Sequence, residues 1–173
     1  MATYVITLIG DDRVGLVQSL ADGVARTGGN WERSSLAELA GKFAGIVMVT
    51  VPDDRAEELA DNLRHLDGML DVRIQRASEE TTAAEDSATI RLELVGNDRP
   101  GIVNEISTAL RSHGITIDKL ESHVSDAPMY GGQLFNCNAV LRGPESALSG
   151  ARADLERIAT ELMVDLNLVA DAA

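Results

Sequence analysis

The sequence predicts an α+β protein built from two copies of one domain, each a four-stranded antiparallel sheet with two helices on one face. Three observations carry that expectation. The first is an internal repeat: Gly10-Asp11-Asp12-Arg13-Val14-Gly15 returns as Gly96-Asn97-Asp98-Arg99-Pro100-Gly101. At the offset of 86 (96 − 10), Leu8, Asp12, Arg13, Gly15, Val17 and Gly28 recur as Leu94, Asp98, Arg99, Gly101, Val103 and Gly114. A repeat of that length is a whole domain, too long for a solenoid unit. The second is the alternation before each turn, with Tyr4, Ile6 and Leu8, then Ile90, Leu92 and Leu94, on one side of a strand. The third is the helical spacing after it: Leu16, Val17, Leu20 and Val24 in the first copy, Ile102, Val103, Ile106, Ala109 and Leu110 in the second.

In chain order, the first strand runs from Tyr4 into the turn at Gly10. Asp12 suits the N-cap of a helix through Arg26, which Gly28-Gly29 ends. Two extended stretches, around Trp31–Leu39 and Phe43–Val51, meet near Gly41-Lys42 as a hairpin. Pro52 breaks the strand and Asp53 can cap a second helix, whose Ala56, Leu59, Ala60, Leu63 and Leu66 share one side. Leu70, Val72 and Ile74 then alternate with Asp71 and Arg73 in a last strand, which completes a β-α-β-β-α-β order over residues 1–77. Residues 78–87 are polar and acidic without a large apolar side chain, so they read as a linker.

The order repeats over residues 88–173. A strand at Thr89–Val95 leads through the turn to a helix ending near Ser112, with Gly114 as its stop and a strand from Ile115 to Val124. Ser125–Gly132, with Pro128 and Gly131-Gly132, predicts a longer loop than the one at Gly41. Phe135, Cys137, Ala139 and Leu141 share the face of the next strand, and Pro144 suits the start of a long helix striped by Leu148, Ala151, Leu155, Ile158, Ala159 and Leu162. Val164, Leu166 and Leu168 alternate in the final strand. Both halves share this order, so the far face of each sheet is expected to be partly open, and two such sheets can pair side by side or face to face.

Composition narrows the class of function. With 45% hydrophobic residues but only 3% aromatic, the cores must be filled by Leu, Val, Ile and Ala. Fifteen Lys and Arg stand against 28 Asp and Glu, a net charge of −13, which opposes direct binding to nucleic acid phosphates and also keeps a protein soluble. Cys137 is the single cysteine, which excludes an internal disulfide framework; its place on a strand face suggests a buried small residue rather than a nucleophile. No apolar run approaches the ~20 residues of a membrane span, and Met1–Ile9 is strand-like rather than a leader. The expectation is a soluble, cytoplasmic protein with no cofactor and no metal.

The turn itself is a strand running into a helix N-terminus, where unpaired N–H groups and the helix dipole favour a carboxylate or phosphate. Glycine at 15 and 101, in the expected first helical turn, costs up to ~1 kcal/mol relative to alanine. Either a ligand approaches the backbone there, or a strand or the second helix needs the space. Asp98 as a cap with Pro100 in the first turn is explained by helix initiation alone.

Gly-Asn-Asp-Arg-Pro-Gly-Ile-Val at 96–103, with Gly-Ile-Thr-Ile at 114–117, resembles ACT domains; Asp-Asp-Arg-Val-Gly-Leu-Val at 11–17, with Gly-Asn-Trp at 29–31, is a looser match. The tandem arrangement resembles the glycine cleavage system transcriptional repressor group, helped by Ala127-Pro128-Met129 through Phe135 and by Ala159-Thr160-Glu161-Leu162-Met163-Val164-Asp165. The resemblance implies ferredoxin-like domains that bind a small ligand, commonly an amino acid, at an interface between modules. Carried over to this sequence, the contacts fall on Asp11, Asp12, Arg13 and Gly15 with Asn30 after the helix, and on Asn97, Asp98, Arg99 and Gly101 with Thr116 after the helix. Asp11 stands where the second copy has an amide, and Thr116 where the first has one, so the two sites are not equivalent. A carboxylate at Asp11 repels a ligand carboxylate but can hold an ammonium. Arg13 and Arg99 suit bidentate pairing with a carboxylate, or simply a solvated surface. The implied function is a non-enzymatic sensor of an amino acid such as glycine that controls a protein partner such as a transcriptional regulator, with a homodimer among the possible assemblies.

Three rival readings are weighed. An enzyme finds little support: His65, His113 and His123 lack metal spacing and no Gly-x-Ser-x-Gly elbow occurs. Acylphosphatase shares the element order and uses an arginine in its first loop, but its phosphate loop is richer in glycine and basic residues than Gly10–Gly15. The RNA recognition motif has the same topology but stacks bases on strand aromatics, and here the third strands offer only Phe43 and Phe135. A protein-interaction scaffold without any ligand is the third.

Overall fold

The computed structural model describes residues 1–64, 66, 68–78, 87–127, 131–162 and 164–170. The chain divides into two compact units, residues 1–81 and 82–173. The first contains β1 (Ala2–Asp11), α1 (Leu16–Arg26), β2 (Asn30–Leu39), β3 (Lys42–Val51), a 3-10 turn at Asp53–Arg55, α2 (Ala56–Arg64) and β4 (Leu70–Arg76). The second contains β5 (Ser87–Asn97), α3 (Ile102–Ser112), β6 (Thr116–Asp126), β7 (Gln133–Pro144), α4 (Glu145–Leu162) and β8 (Val164–Ala170). Each sheet is four-stranded and antiparallel throughout, in the orders β2-β3-β1-β4 and β6-β7-β5-β8.

The alternation seen in the sequence decides which face is covered. In the first unit Ile6, Leu8, Val47, Val49 and Val51 turn inward against Leu16, Leu20 and Val24 of α1 and Leu59 and Leu63 of α2. In the second, Leu92, Leu94, Cys137, Ala139 and Leu141 meet Ile102, Ile106 and Leu110 of α3 and Leu148, Ala151 and Leu155 of α4. Both phenylalanines face these cores: Phe135 is buried and Phe43 packs against the first cluster, so neither is offered on the open face for base stacking. Cys137 is buried, and burial pushes its thiol pKa up, away from the reactive thiolate.

Several boundaries differ from expectation, and each difference has a local cause. β1 and β5 run on to Asp11 and Asn97, which pair with Lys42 and Leu134 instead of lying in the turn. Asp12 and Asp98 do not cap the helices. Their N–H groups extend the ladder toward the facing strands, to the Gly41 carbonyl at 2.9 Å and the Gln133 carbonyl at 2.8 Å. The N-caps are Gly15 and Gly101, and neither helix has a side-chain cap. Pro52 is followed by the 3-10 turn before α2 begins, and Pro144 ends β7 one residue ahead of α4. The β2–β3 hairpin turns through Ala40 and Gly41, both at positive φ (53° and 77°), the arrangement that matches the twist of the paired strands. The long-loop expectation for 125–132 falls partly, the linker expectation for 78–87 almost wholly, and His65 entirely, outside the described residues.

Candidate functional site

The two strand-to-helix turns are built alike at the backbone. Gly15 has φ 92° and Gly101 φ 98°, left-handed values that L side chains adopt at a cost. That conformation, and not crowding, accounts for the glycines: a Cβ on Gly15 would meet nothing within 4 Å, and one on Gly101 only Glu105 Oε1 at 3.7 Å. The space that a neighbouring strand requires is taken five residues earlier, at Gly10, where a Cβ would lie 2.2 Å from the Met69 carbonyl oxygen. Close approach and left-handed backbone are thus separate demands met by separate glycines. The first N–H groups of α1 and α3 have no capping side chain.

Side chains make the turns chemically different. In the first, Asp11 forms an ion pair with Lys42 across the β1–β3 pair, and that ammonium holds the Asp11 carboxyl below its usual value. That exposed ion pair offsets part of the expected repulsion of a ligand carboxylate. Arg13 is exposed and makes no hydrogen bond or ion pair among the described residues, and the first turn of α1 contains no acid. In the second, Arg99 Nη2 donates to both Glu105 oxygens at 2.9 Å. Glu105 sits in the first turn of α3; its counterpart at the offset of 86 is Ser19 (105 − 86). The second arginine already holds a carboxylate supplied by its own helix.

Within either unit the expected contact residues do not converge. Asp11 pairs with Lys42 and Asn30 with Thr50 on the same strand, eight residues away (50 − 42), or ~27 Å at ~3.4 Å per residue. Asn97 pairs with Leu134 and Thr116 with Arg142, again eight residues away (142 − 134). The structure brings Asp11, Asp12, Arg13 and Gly15 together at one end of the first sheet and leaves Asn30 at the other. In the second, Asn97, Asp98, Arg99 and Gly101 gather at one end and Thr116 lies at the other. The reason is topological: α1 and α3 run back along the sheet before β2 and β6 begin, so the start and the end of each helix lie toward opposite ends of the strands.

The Asn30 end has a feature the sequence did not signal. Asn30 Nδ2 and Thr50 Oγ1 both donate to Glu32 Oε1 at 2.8 Å, and these bonds hold the Glu32 carboxyl below its usual value. Glu32 lines a depression of about 670 Å³ together with Met1, Thr3, Met48, Thr50 and Arg76. Only the cross-strand register, with a bulge between Trp31 and Arg33, puts these residues side by side.

Profiles of the ACT domain match residues 2–76 and 90–160. The chain belongs to the ACT-domain family. ACT domains are non-catalytic regulatory modules, and this chain carries two of them. Among solved structures, an uncharacterised protein from Galdieria sulphuraria superposes with a TM-score of 0.90 at 27% identity, covering 99% of each chain. A protein described as a "putative glycine cleavage system transcriptional repressor" superposes with a TM-score of 0.70 at 18% identity, covering 98% of each chain; at that identity the likeness is one of fold. No curated protein sequence matches the chain. Among the described residues there is no group of three or more His, Cys, Asp or Glu placed to hold a metal ion, and no helix long and apolar enough to cross a membrane.

Proposed function

We propose that this tandem ACT protein senses a small metabolite, an amino acid such as glycine, and passes its occupancy to a protein partner such as a transcriptional regulator. The reading rests chiefly on Arg13. A guanidinium without a hydrogen bond or ion pair among the described residues precedes an uncapped helix N-terminus with no acid in its first turn, which is chemistry suited to an α-carboxylate. Asp12 and Gly15 border the same space. The second turn is the weaker site, because a ligand carboxylate must displace Glu105 from Arg99. Asn30 and Thr116 lie too far from the turns of their own units to share a ligand with them, so a ligand touching both kinds of residue takes one from a further ACT module, such as one from another copy of the chain. The glycine cleavage direction of the output is suggested by the repressor of the same tandem fold. Control through a partner, and not through DNA contact, follows from the net charge of −13.

A thermal-shift screen against the twenty amino acids tests this. A ligand at 100 times its Kd adds about 2.7 kcal/mol of stability, a shift of a few degrees. Arg13→Ala should abolish the shift while leaving the melting temperature of the free protein nearly unchanged. If no amino acid stabilises the wild type, the sensor reading fails.

A second reading, an interaction scaffold without ligand, is favoured by one observation. The open face of the first sheet presents Ile9 and Ile46 at 52% and 53% exposure, and Val14 stands fully exposed at the turn. Light scattering across a concentration series checks whether that face associates.

A further inference from the structure

On the second unit the open face of the sheet carries its charges in rows. The β5–β7 and β6–β7 registers place Arg91 and Lys119 on either side of Val140, and Glu93 and Glu121 on either side of Asn138. One cross-strand row therefore reads Arg91, Val140, Lys119. The next, two residues along the strands and ~7 Å away, reads Glu93, Asn138, Glu121. These six residues line a depression of about 360 Å³. Lys119 Nζ lies 3.0 Å from Glu121 Oε1 at one side of it. The Glu93 carboxylate and the Asn138 amide make no hydrogen bond or ion pair among the described residues.

The fold does not require this pattern. In the first unit the corresponding rows are Val5, Met48, Arg33 and Thr7, Ile46, Ser35, with no carboxylate in either. The same sheet is thus built with a largely apolar or neutral face, so the paired rows are a property of the second unit alone. Their arrangement is polar along one direction, cations at one level and carboxylates at the next. We propose that this depression binds a small zwitterion, its carboxylate toward Arg91 and Lys119, its ammonium toward Glu93 and Glu121, and the Asn138 amide between them. Each exposed ion pair alone contributes little, but a zwitterion engages both rows at once. An ion of a single sign gains at one row and is repelled by the other, which gives selectivity as well as affinity. The site is separate from the Arg13 and Arg99 turns and does not depend on them.

The test uses the full chain, isotope-labelled, titrated with glycine, β-alanine and 4-aminobutanoate, which differ in charge separation, and with acetate and methylammonium as singly charged controls. The side-chain amide of Asn138 reports the depression; the backbone amides of Gly15 and Gly101 report the turns separately. At least one zwitterion should shift the Asn138 signal in a saturable way, bind about tenfold or more tightly than either control, and weaken with added salt. Glu93→Gln combined with Glu121→Gln changes only exposed side chains; far-UV circular dichroism should be unchanged while the Asn138 response falls about tenfold or more. Equal binding of acetate, an unmoved Asn138 signal with every zwitterion, or full binding by the double variant would overturn the proposal. So would an Asn138 shift that follows protein concentration alone, which would assign the rows to a second copy of the chain.

Discussion

At the scale of single residues, the turn separates three jobs that its sequence runs together. Gly10 makes room for β4, Gly15 supplies the left-handed N-cap, and Arg13 makes no hydrogen bond or ion pair among the described residues. Alanine at Gly10 meets a backbone oxygen that cannot move without shifting β4, so Gly10→Ala should cost ~2–4 kcal/mol in urea unfolding. Gly15→Ala meets nothing and should cost only ~1 kcal/mol, from backbone conformation. Equal effects of the two would overturn this division. At the second turn, Glu105→Gln removes the resident carboxylate, and the Arg99 site should then bind an amino-acid carboxylate about tenfold more tightly, read by calorimetry as added stoichiometry. Titration gives a further check. The hydrogen bond between His113 Nε2 and Asp154, at 2.8 Å, is the main cause that holds the Asp154 carboxyl below its ordinary value of 3.8. A lowered carboxylate pKa stabilises the fold above the unfolded value and is lost as pH falls through the folded one. The stability gap between wild type and Asp154→Asn should therefore narrow as acid is added below that ordinary value.

Elements follow from periodicity wherever one face is buried. Of the inward positions named from the first strands, Ile6, Leu8, Leu92 and Leu94 are buried and Tyr4 and Ile90 are partly buried against the same cores, because a half-covered strand cannot shift by one residue without turning its apolar side to water. Leu20→Ala, at a position with no exposure, should cost ~2–5 kcal/mol. Helix starts were less legible. Asp12 and Asp98 have the chemistry of caps, but their N–H groups are claimed by the Gly41 and Gln133 carbonyls of the neighbouring strand. The left-handed backbone at Gly15 and Gly101 sets each cap three residues later, so neither aspartate occupies the cap position. Ala40 shows the same priority: the hairpin needs left-handed backbone there and obtains it from a residue that prefers otherwise. Ala40→Asn should raise stability by ~0.5–1 kcal/mol, measured as a higher urea midpoint with unchanged slope.

For the molecule as a whole, the two units have core clusters that share no residue. A peptide covering residues 1–77 should therefore fold cooperatively by itself; loss of a sigmoidal urea transition would show that it needs the rest of the chain. The repeats have kept one fold and diverged in what they present. The first offers an arginine without a hydrogen bond or ion pair among the described residues at its turn and an open face whose matching rows carry no carboxylate; the second offers an arginine paired with Glu105 and a face ordered into rows of charge. These differences lie in solvent-facing side chains, which leave the core pattern, and hence the fold, untouched.

The sequence by itself determined the repeat, the element order, the buried faces and the family, since these rest on local periodicity and on a motif contiguous in the chain. Tertiary structure alone decided which charges meet. Lys42 against Asp11, Glu105 against Arg99, the separation of Asn30 from Arg13, and the Arg91–Lys119 and Glu93–Glu121 rows all depend on strand register or on a side chain folding back across a turn. Periodicity along the chain gives the direction in which a side chain points; it does not give the partner that arrives from another strand.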